Sequence, residues 1–420
     1  MNGYHVTKGE KMSLLNPSIF DDNEENRIIL RNDVLTPDYI PPRLIGRDEQ
    51  ILEVAGLIRP LFRHGYPNNG LIFGVSGCGK TVVSKMVLKS LTAKLEQNPI
   101  GVNVDWVYIH CKKVYTQTAI LYTLIQYLDP LTEIKKTGYS MDYYYNALFN
   151  LMNTKNTALI VILDEIDFLG SEDLLYNFSR AISNDELKEN RFIRIIGLSN
   201  SSKFEQKLDN RIVSSLGAEK ISFPAYNTDE IYHILKDRID LAFSPNTIDE
   251  DALIKCAHNA AMFSGDIRKA LKVLHTAAIK AEKEKSKVIT VDHIIKAEKE
   301  VQKDQVIDSV IKLPLHHKLV LLSLIKLTTC NESATTGDVT AMYVKLCKAI
   351  QKEPGHRTLV SKCIGSLEAQ QLIKSVKVNK GIKGGVTRVL SLYLEDVSQL
   401  KVGLYADEDL EDLTEFNPMI

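Results

Sequence analysis

Short, largely apolar runs separated by stretches of helical periodicity occupy the first half of the chain. Residues 71–75, 104–110, 158–163, 192–198 and 220–223 read as buried strands, with helical patterns between them as crossovers. That combination predicts an α/β domain, a parallel sheet with helices on both faces. From about residue 227 to 304 the pattern is helical throughout and enriched in Lys, Glu and Ala. Further on, three helical patterns at about 315–327, 339–350 and 356–372 precede two short strands, 373–378 and 386–393, across a glycine-rich turn. In the third helix Leu359, Cys363 and Leu367 recur every four residues as a buried stripe, leaving Thr358, Ser361 and Lys362 on the other face. Helices followed by a hairpin predict an α+β winged-helix domain. The expected divisions are therefore 1–226, 227–304, 305–396 and an acidic tail, 397–420.

A chain of 420 residues has room for two or three domains at ~150 residues each. With 44% hydrophobic and 25% charged residues the composition is that of a core-forming globular protein, which excludes disordered and collagen-like classes. The longest wholly apolar run, 158–163, is far shorter than the ~20 residues of a membrane span, and the first 30 residues are polar. A soluble, intracellular protein is expected, with no membrane partner. Six cysteines lack any Cys-x-x-Cys pair, so zinc and disulfide frameworks have no support in the spacing. Overall charge is −1, but residues 311–394 hold 13 Lys and Arg against 4 Asp and Glu, whereas 395–420 hold 1 against 8. The basic segment is where a polyanion would bind.

Gly74-Val75-Ser76-Gly77-Cys78-Gly79-Lys80-Thr81 satisfies the phosphate-binding pattern G-x-x-x-x-G-K-[ST], directly after an apolar strand and before a helical pattern beginning at Val82. The chemistry needs this order because glycines let backbone N–H groups wrap phosphates at a helix N-terminus. Lys80 neutralises the terminal phosphates and the Thr81 hydroxyl ligates Mg²⁺. The bland alternative is a glycine turn without ligand. A second strand ends in Asp164-Glu165, placing carboxylates at the edge where open α/β sheets bind ligands. Asp164 suits a Mg²⁺-associated role and Glu165 suits activation of the water that attacks the γ-phosphate. Asn200, after another strand, could hold that water or a phosphate oxygen, or be turn chemistry alone. Arg211 and Arg268 could stabilise transition-state charge or form surface salt bridges.

These residues together resemble the AAA+ ATPases with their helical lid. The segment Asp38-Tyr39-Ile40-Pro41-Pro42-Arg43-Leu44-Ile45-Gly46-Arg47-Asp48-Glu49 is similar to the N-terminal signature of the origin-recognition and cell-division-cycle-six replication initiators, above all archaeal ones. Residues 208–216, Phe223-Pro224-Ala225-Tyr226 and 313–320 look like theirs too, so the resemblance spans about 16–394. It implies that Ser76, Gly77, Cys78, Gly79, Lys80, Thr81 and Val82 cradle phosphates and that Asp164 and Glu165 form the Walker B pair. It also implies that Asn200 is sensor one, Arg268 is sensor two, and Tyr226 and Arg238 flank the nucleotide where lid meets base. Arg211 is the implied finger toward a neighbouring subunit. The chain departs from the family at Ala225, where a second proline is commoner, and at Cys78, where threonine or another small residue is. Residues 116–153 lie where initiators carry a helical insertion that touches DNA, and Tyr143-Tyr144-Tyr145 invites a base-stacking reading, but aromatics at helical spacing are more often core.

In the basic segment the wing residues Lys377, Lys380, Lys383 and Arg388 would contact phosphates, while Arg357, Thr358, Ser361 and Lys362 would face base edges. The expected function is an ATP/ADP- and Mg²⁺-dependent initiator, a weak switch-like ATPase that binds origin duplex DNA and helps recruit or load the replicative helicase. Its other expected partners are initiator paralogues and its location is cytoplasmic, with the nucleoid. Two alternatives stay open: an initiator-like paralogue acting as a regulatory or transcriptional DNA-binding protein, and a P-loop signalling ATPase without DNA.

Overall fold

The computed structural model describes residues 27–37, 39–263, 265–328, 333–379, 386–393, 397–411 and 413–414. The chain forms two compact units, up to Ile295 and from Lys296.

In the first unit, α1 (Asp48–Ile58) precedes an alternation of β1 (Gly70–Gly74), α2 (Lys80–Gln97), β2 (Asn103–His110), α3 (Gln117–Leu128) and α4 (Met141–Thr154). Then come β3 (Thr157–Asp164), α5 (Asp173–Arg180), β4 (Ile193–Ser199), α6 (Asn210–Leu216) and β5 (Glu219–Phe223). All pairings are parallel, in the order β2-β3-β4-β1-β5. The inner strands β3 and β4 are buried almost throughout, β3 through its unbroken apolar run 158–163 and β4 with one interruption at the partly buried Arg194, whereas the edges β2 and β5 carry Asn103, Asp105, Glu219 and Lys220. One core holds Leu121, Leu124, Tyr144, Leu148 and Phe178, and a second holds Leu57, Val83, Leu88 and Phe223. Tyr144 and Tyr145 belong to the first core, while Tyr143 is exposed and stacks on Tyr139 at 4.4 Å.

Three helices complete this unit: α7 (Thr228–Ala242), α8 (Glu250–Phe263) and α9 (Ile267–Lys283). A capping box between Asn227 and Glu230 starts α7, and Asp266 caps α9. The segment entering from residue 27 is tied to these helices. The Ile28 and Ile29 N–H groups donate to Glu282 Oε1 at 2.7 and 2.9 Å, and Leu30 N–H donates to Ala242 O at 2.7 Å.

The next helix, α10 (Val291–Ile311), runs unbroken through the boundary expected at 304/305, because it contains no Gly or Pro to stop it before Pro314. In the second unit follow α11 (Leu315–Thr328), β6 (Ala334–Thr335), α12 (Thr336–Ala349), α13 (Arg357–Ala369), β7 (Ile373–Asn379) and β8 (Val386–Leu392). The sheet order β6-β8-β7 is antiparallel. Residues 397–411, expected as part of an acidic tail, instead form α14 (Ser398–Tyr405) and α15 (Glu408–Glu411). Leu400, Leu404, Leu410 and Leu413 are buried in the same core as Leu321, Leu346 and Leu367. The acidic count hid the i, i+4 pair Leu400 and Leu404 and the i, i+3 pair Leu410 and Leu413. Among the described residues no helix is long and apolar enough to cross a membrane.

Lys318 on α11, 7% exposed, pairs with Asp407 at 2.6 Å and fixes the start of α15. The ammonium holds the Asp407 carboxyl below its ordinary value. A depressed carboxylate stabilises the fold fully above its unfolded value of ~3.9 and loses that contribution as pH falls through the folded one. Asp407→Ala leaves Lys318 charged without its anion and is expected to cost about 2 to 3 kcal/mol, the buried-pair penalty reduced for an aspartate that still sees water. Calorimetry of the full chain would check this. A variant melting like the parent at pH 7 would deny the pair any role.

Candidate functional site

Strand order sets the geometry of the first site. Because β4 lies between β1 and β3, the residue after β4, Asn200, falls between the loop leaving β1 and the acids ending β3. That loop reaches α2 through Gly77 (φ +76) and Gly79 (φ +97), conformations that other residues adopt only with strain. A Cβ on Gly77 would stand 1.8 Å from Asp266 Oδ1, and one on Gly79 would meet Tyr226 Oη at 2.8 Å.

Lys80 is 7% exposed, and its Nζ donates to Asn200 Oδ1 at 3.0 Å and to the Gly74 and Val75 carbonyls at 2.7 and 2.9 Å. Burial pushes the ammonium down, and Cys78 and Asp164 partly offset that. Thr81 Oγ1 and Tyr108 Oη both donate to Asp164 Oδ2 at 2.8 Å, and Glu165 N–H donates to Asp164 Oδ1 at 2.9 Å. Burial, then Asp164, raises the Tyr108 phenol, so it stays a donor. Glu165 sits in the left-handed region (φ 53), its Oε2 facing His110 Nδ1 at 3.6 Å. A hydroxyl and a carboxylate already in contact are hard oxygen donors that fit Mg²⁺.

The helical lid contributes Arg268. Its Nη2 donates to Ser76 Oγ and to Asp266, which also lies against Gly77. A cavity of about 380 Å³ is lined by Ser76, Gly77, Gly79, Lys80, Thr81, Val82, Asp164, Glu165, Asn200, Tyr226, Arg238 and Arg268, together with Tyr39, Tyr108 and His110. The structure thus brings together nearly every residue the sequence singled out for nucleotide chemistry. Two stand apart. The Cys78 side chain is fully buried beneath the loop, leaving only its backbone to contribute. Arg211 is not among the lining residues: its side chain is 85% exposed, paired with Asp209 at the start of α6.

Sequence reasoning assigned no role to several residues that build this site. Arg47, 1% exposed, donates to the Cys78 carbonyl and the Pro224 carbonyl, both at 2.8 Å, and stacks on Tyr226 at 3.6 Å. It also lies 3.7 Å from Glu230, so one guanidinium joins the phosphate loop, the end of β5 and α7. Asp167 accepts from Ser199 Oγ at 2.9 Å and from Asn200 N–H at 3.2 Å, fixing the turn that aims Asn200. Tyr39 stacks under Arg238 at 4.6 Å. Arg47 and Tyr39 lay within the initiator-like signature, and His110 ends a strand, so position was the available signal.

Three domain models match in sequence order: an AAA domain over residues 63–202, a Cdc6 AAA+ ATPase-type lid domain over 232–299, and a CDC6 C-terminal winged helix domain over 308–399. Over 402 residues the chain is 35% identical to ORC1-type DNA replication protein 1 of Archaeoglobus fulgidus, covering 95% of this chain and 96% of that protein. The chain belongs to the ORC1-type DNA replication protein family. Its ORC1-type relative in Sulfurisphaera tokodaii is likewise 35% identical, over 96% of this chain and 99% of that one. A solved Aeropyrum pernix Orc1 protein, in complex with DNA, matches with a TM-score of 0.81 and 32% identity over 92% of this chain and 99% of that one. Cdc6p of Pyrobaculum aerophilum, at 22% identity and TM-score 0.57, shares the fold.

In the winged helix of this ORC1-type chain, Val360, Cys363, Ile364 and Leu367 face the core while Arg357, Thr358, Ser361 and Lys362 are exposed. Leu359 is only partly buried, so the core stripe is broader than the every-fourth pattern and centred on Val360 and Ile364. Lys377 and Arg388 are exposed and are direct cross-strand partners. Lys380 and Lys383 lie outside the described residues.

Proposed function

We propose that this chain is an ATP-dependent replication initiator that binds origin duplex DNA and helps recruit or load the replicative helicase. The observation that carries the reading is the match along 92% of the chain, across both units, to an Orc1 protein solved with DNA. Two features of the chain itself support it. Lys377 and Arg388 are set opposite each other on an exposed hairpin, an arrangement that costs stability unless an anion lies against it. The face of α13 carrying Arg357, Thr358, Ser361 and Lys362 is free to enter a major groove, and Gly365 on the same helix leaves it bare, with nothing within 4 Å of an added Cβ.

At the nucleotide site, Ser76 to Val82 would hold the phosphates, with Lys80 against their terminal charge, and Thr81 and Asp164 would hold Mg²⁺. The ion, when bound, neutralises phosphate charge and orients the terminal group. Glu165 accepts a proton from the attacking water, and Asn200 orients that water or a γ-phosphate oxygen. Arg268 reaches Ser76 from α9 and lines the cavity, so a γ-phosphate placed beside it would engage the lid in a way that ADP does not, and slow hydrolysis would then act as a conformational switch. Tyr226 and Arg238 flank the nucleotide at the same junction, and Arg211 is left to act on a neighbouring subunit's site. The domain organisation supporting this is an ATPase base to about residue 226, a lid, and a DNA-binding winged helix whose body includes α14 and α15.

Mapping occupancy of the chain across the genome tests the reading. Peaks coincident with replication start points, with co-recovery of the replicative helicase, are expected. Peaks confined to promoters would replace the initiator by a regulatory paralogue, and no duplex binding would leave a signalling ATPase.

A further inference from the structure

The helix α13 begins without help from its own capping residue: His356 makes no side-chain cap hydrogen bond. What fixes its entry lies deeper. Tyr343 on α12 is fully buried, and its Oη accepts from the Gly355 N–H at 2.9 Å while facing His316 Nδ1 on α11 at 2.8 Å. The Gly355 amide can only donate, and the second bond of Tyr343 Oη is to the imidazole, the phenol hydrogen being offered to Nδ1 in one tautomer and Nδ1–H to the phenol oxygen in the other. Burial pushes the Tyr343 phenol up to about 12, which keeps the phenol hydrogen in place. Gly355 in turn lies directly on the first turn of α13, since a Cβ there would stand 2.3 Å from Leu359 Cδ2. One chain of hydrogen bonds therefore runs from the start of α11 through the core to the backbone ahead of Arg357 and Thr358.

We propose that Tyr343, oriented by His316, is a positioning residue for sequence reading: it sets where the first turn of α13 stands, and thereby the discrimination between duplexes, although Tyr343 is too buried to touch nucleic acid. This rests on the reading of α13 as the base-contacting helix. Loosening the entry would move Arg357, Thr358 and Ser361 relative to base edges while leaving the wing's phosphate contacts alone. Specific and non-specific binding should then separate, because base contacts discriminate and phosphate contacts do not.

The probe is a duplex selected by the wild-type chain from a random pool, compared with a scrambled duplex of equal composition. In full-length Tyr343→Phe, affinity for the selected duplex is expected to fall about tenfold, roughly what one good base contact discriminates, while the scrambled duplex stays within about twofold. His316→Leu should behave alike, and His316→Asn, which restores a side chain able to accept or donate near the position of Nδ1, should recover most of the discrimination. Equal losses on both duplexes, or no recovery in His316→Asn relative to His316→Leu, would overturn the proposal. Arg357→Ala and Lys362→Ala separate it from the reading beneath. If neither weakens the selected duplex, α13 is not the reader; if they do and Tyr343→Phe does not, the relay alone is wrong.

Discussion

Glu165→Gln is expected to keep ATP affinity within about threefold of the parent and to lower turnover at least ~10²-fold, the lower end of what a positioned general base contributes. The amide is nearly isosteric, so the left-handed backbone at Glu165 and its N–H bond to Asp164 persist, and only the proton acceptor is removed. Lys80→Ala should behave differently. Its ammonium bridges the phosphate loop and Asn200, so its loss removes both the countercharge for the phosphates and the tie that holds Asn200. Nucleotide affinity should drop by ~10² or more, the scale of a charge-assisted contact taken from a buried site. Equilibrium binding of a fluorescent ATP analogue and single-turnover hydrolysis distinguish the two. Normal hydrolysis by both variants would mean that the site is elsewhere.

The second large effect is on duplex affinity. Arg357, Lys362, Lys377 and Arg388 are exposed on the winged helix, and Lys380 and Lys383 fall between β7 and β8 in the sequence. If six phosphates are neutralised, counterion release makes affinity fall ~10³-fold between 50 and 200 mM salt. Lys377→Ala should reduce the slope of log affinity against log salt by about one and weaken selected and scrambled duplexes equally. Fluorescence anisotropy over that range measures both. A flat titration would show that this basic surface serves something other than a nucleic-acid backbone.

Much of the frame could be read from the chain because the decisive signals were local. β3 is apolar from Ala158 to Leu163 and β4 is largely so, which made their burial and parallel pairing legible in the pattern, and the glycines and Lys80 carry their chemistry within eight consecutive residues. What escaped depended on distant segments meeting. Arg47 has no periodicity to mark it, and its partners, Cys78, Pro224 and Glu230, are 31 to 183 positions away. Asp167, three residues past the strand-end Asp164, gave no signal of its own, and only the fold sets it against Ser199 and Asn200. The helical nature of 398–411 was obscured because its charge dominated the count, although Leu400 and Leu404 already marked a buried face. β6, at two residues, is too short to leave a pattern and exists only by pairing with β8.

The leucines beyond the wing bear on how this protein can be cut into pieces. The matched winged-helix model ends at residue 399, a natural place to stop an expression fragment. Such a fragment would lack Leu400, Leu404, Leu410 and Leu413, together with the anion that Lys318 needs, and would present the vacated side of α11 to water. Sticky, poorly behaved material from that truncation would therefore reflect the choice of end point, and carrying the fragment past Leu413 should restore a well-behaved domain.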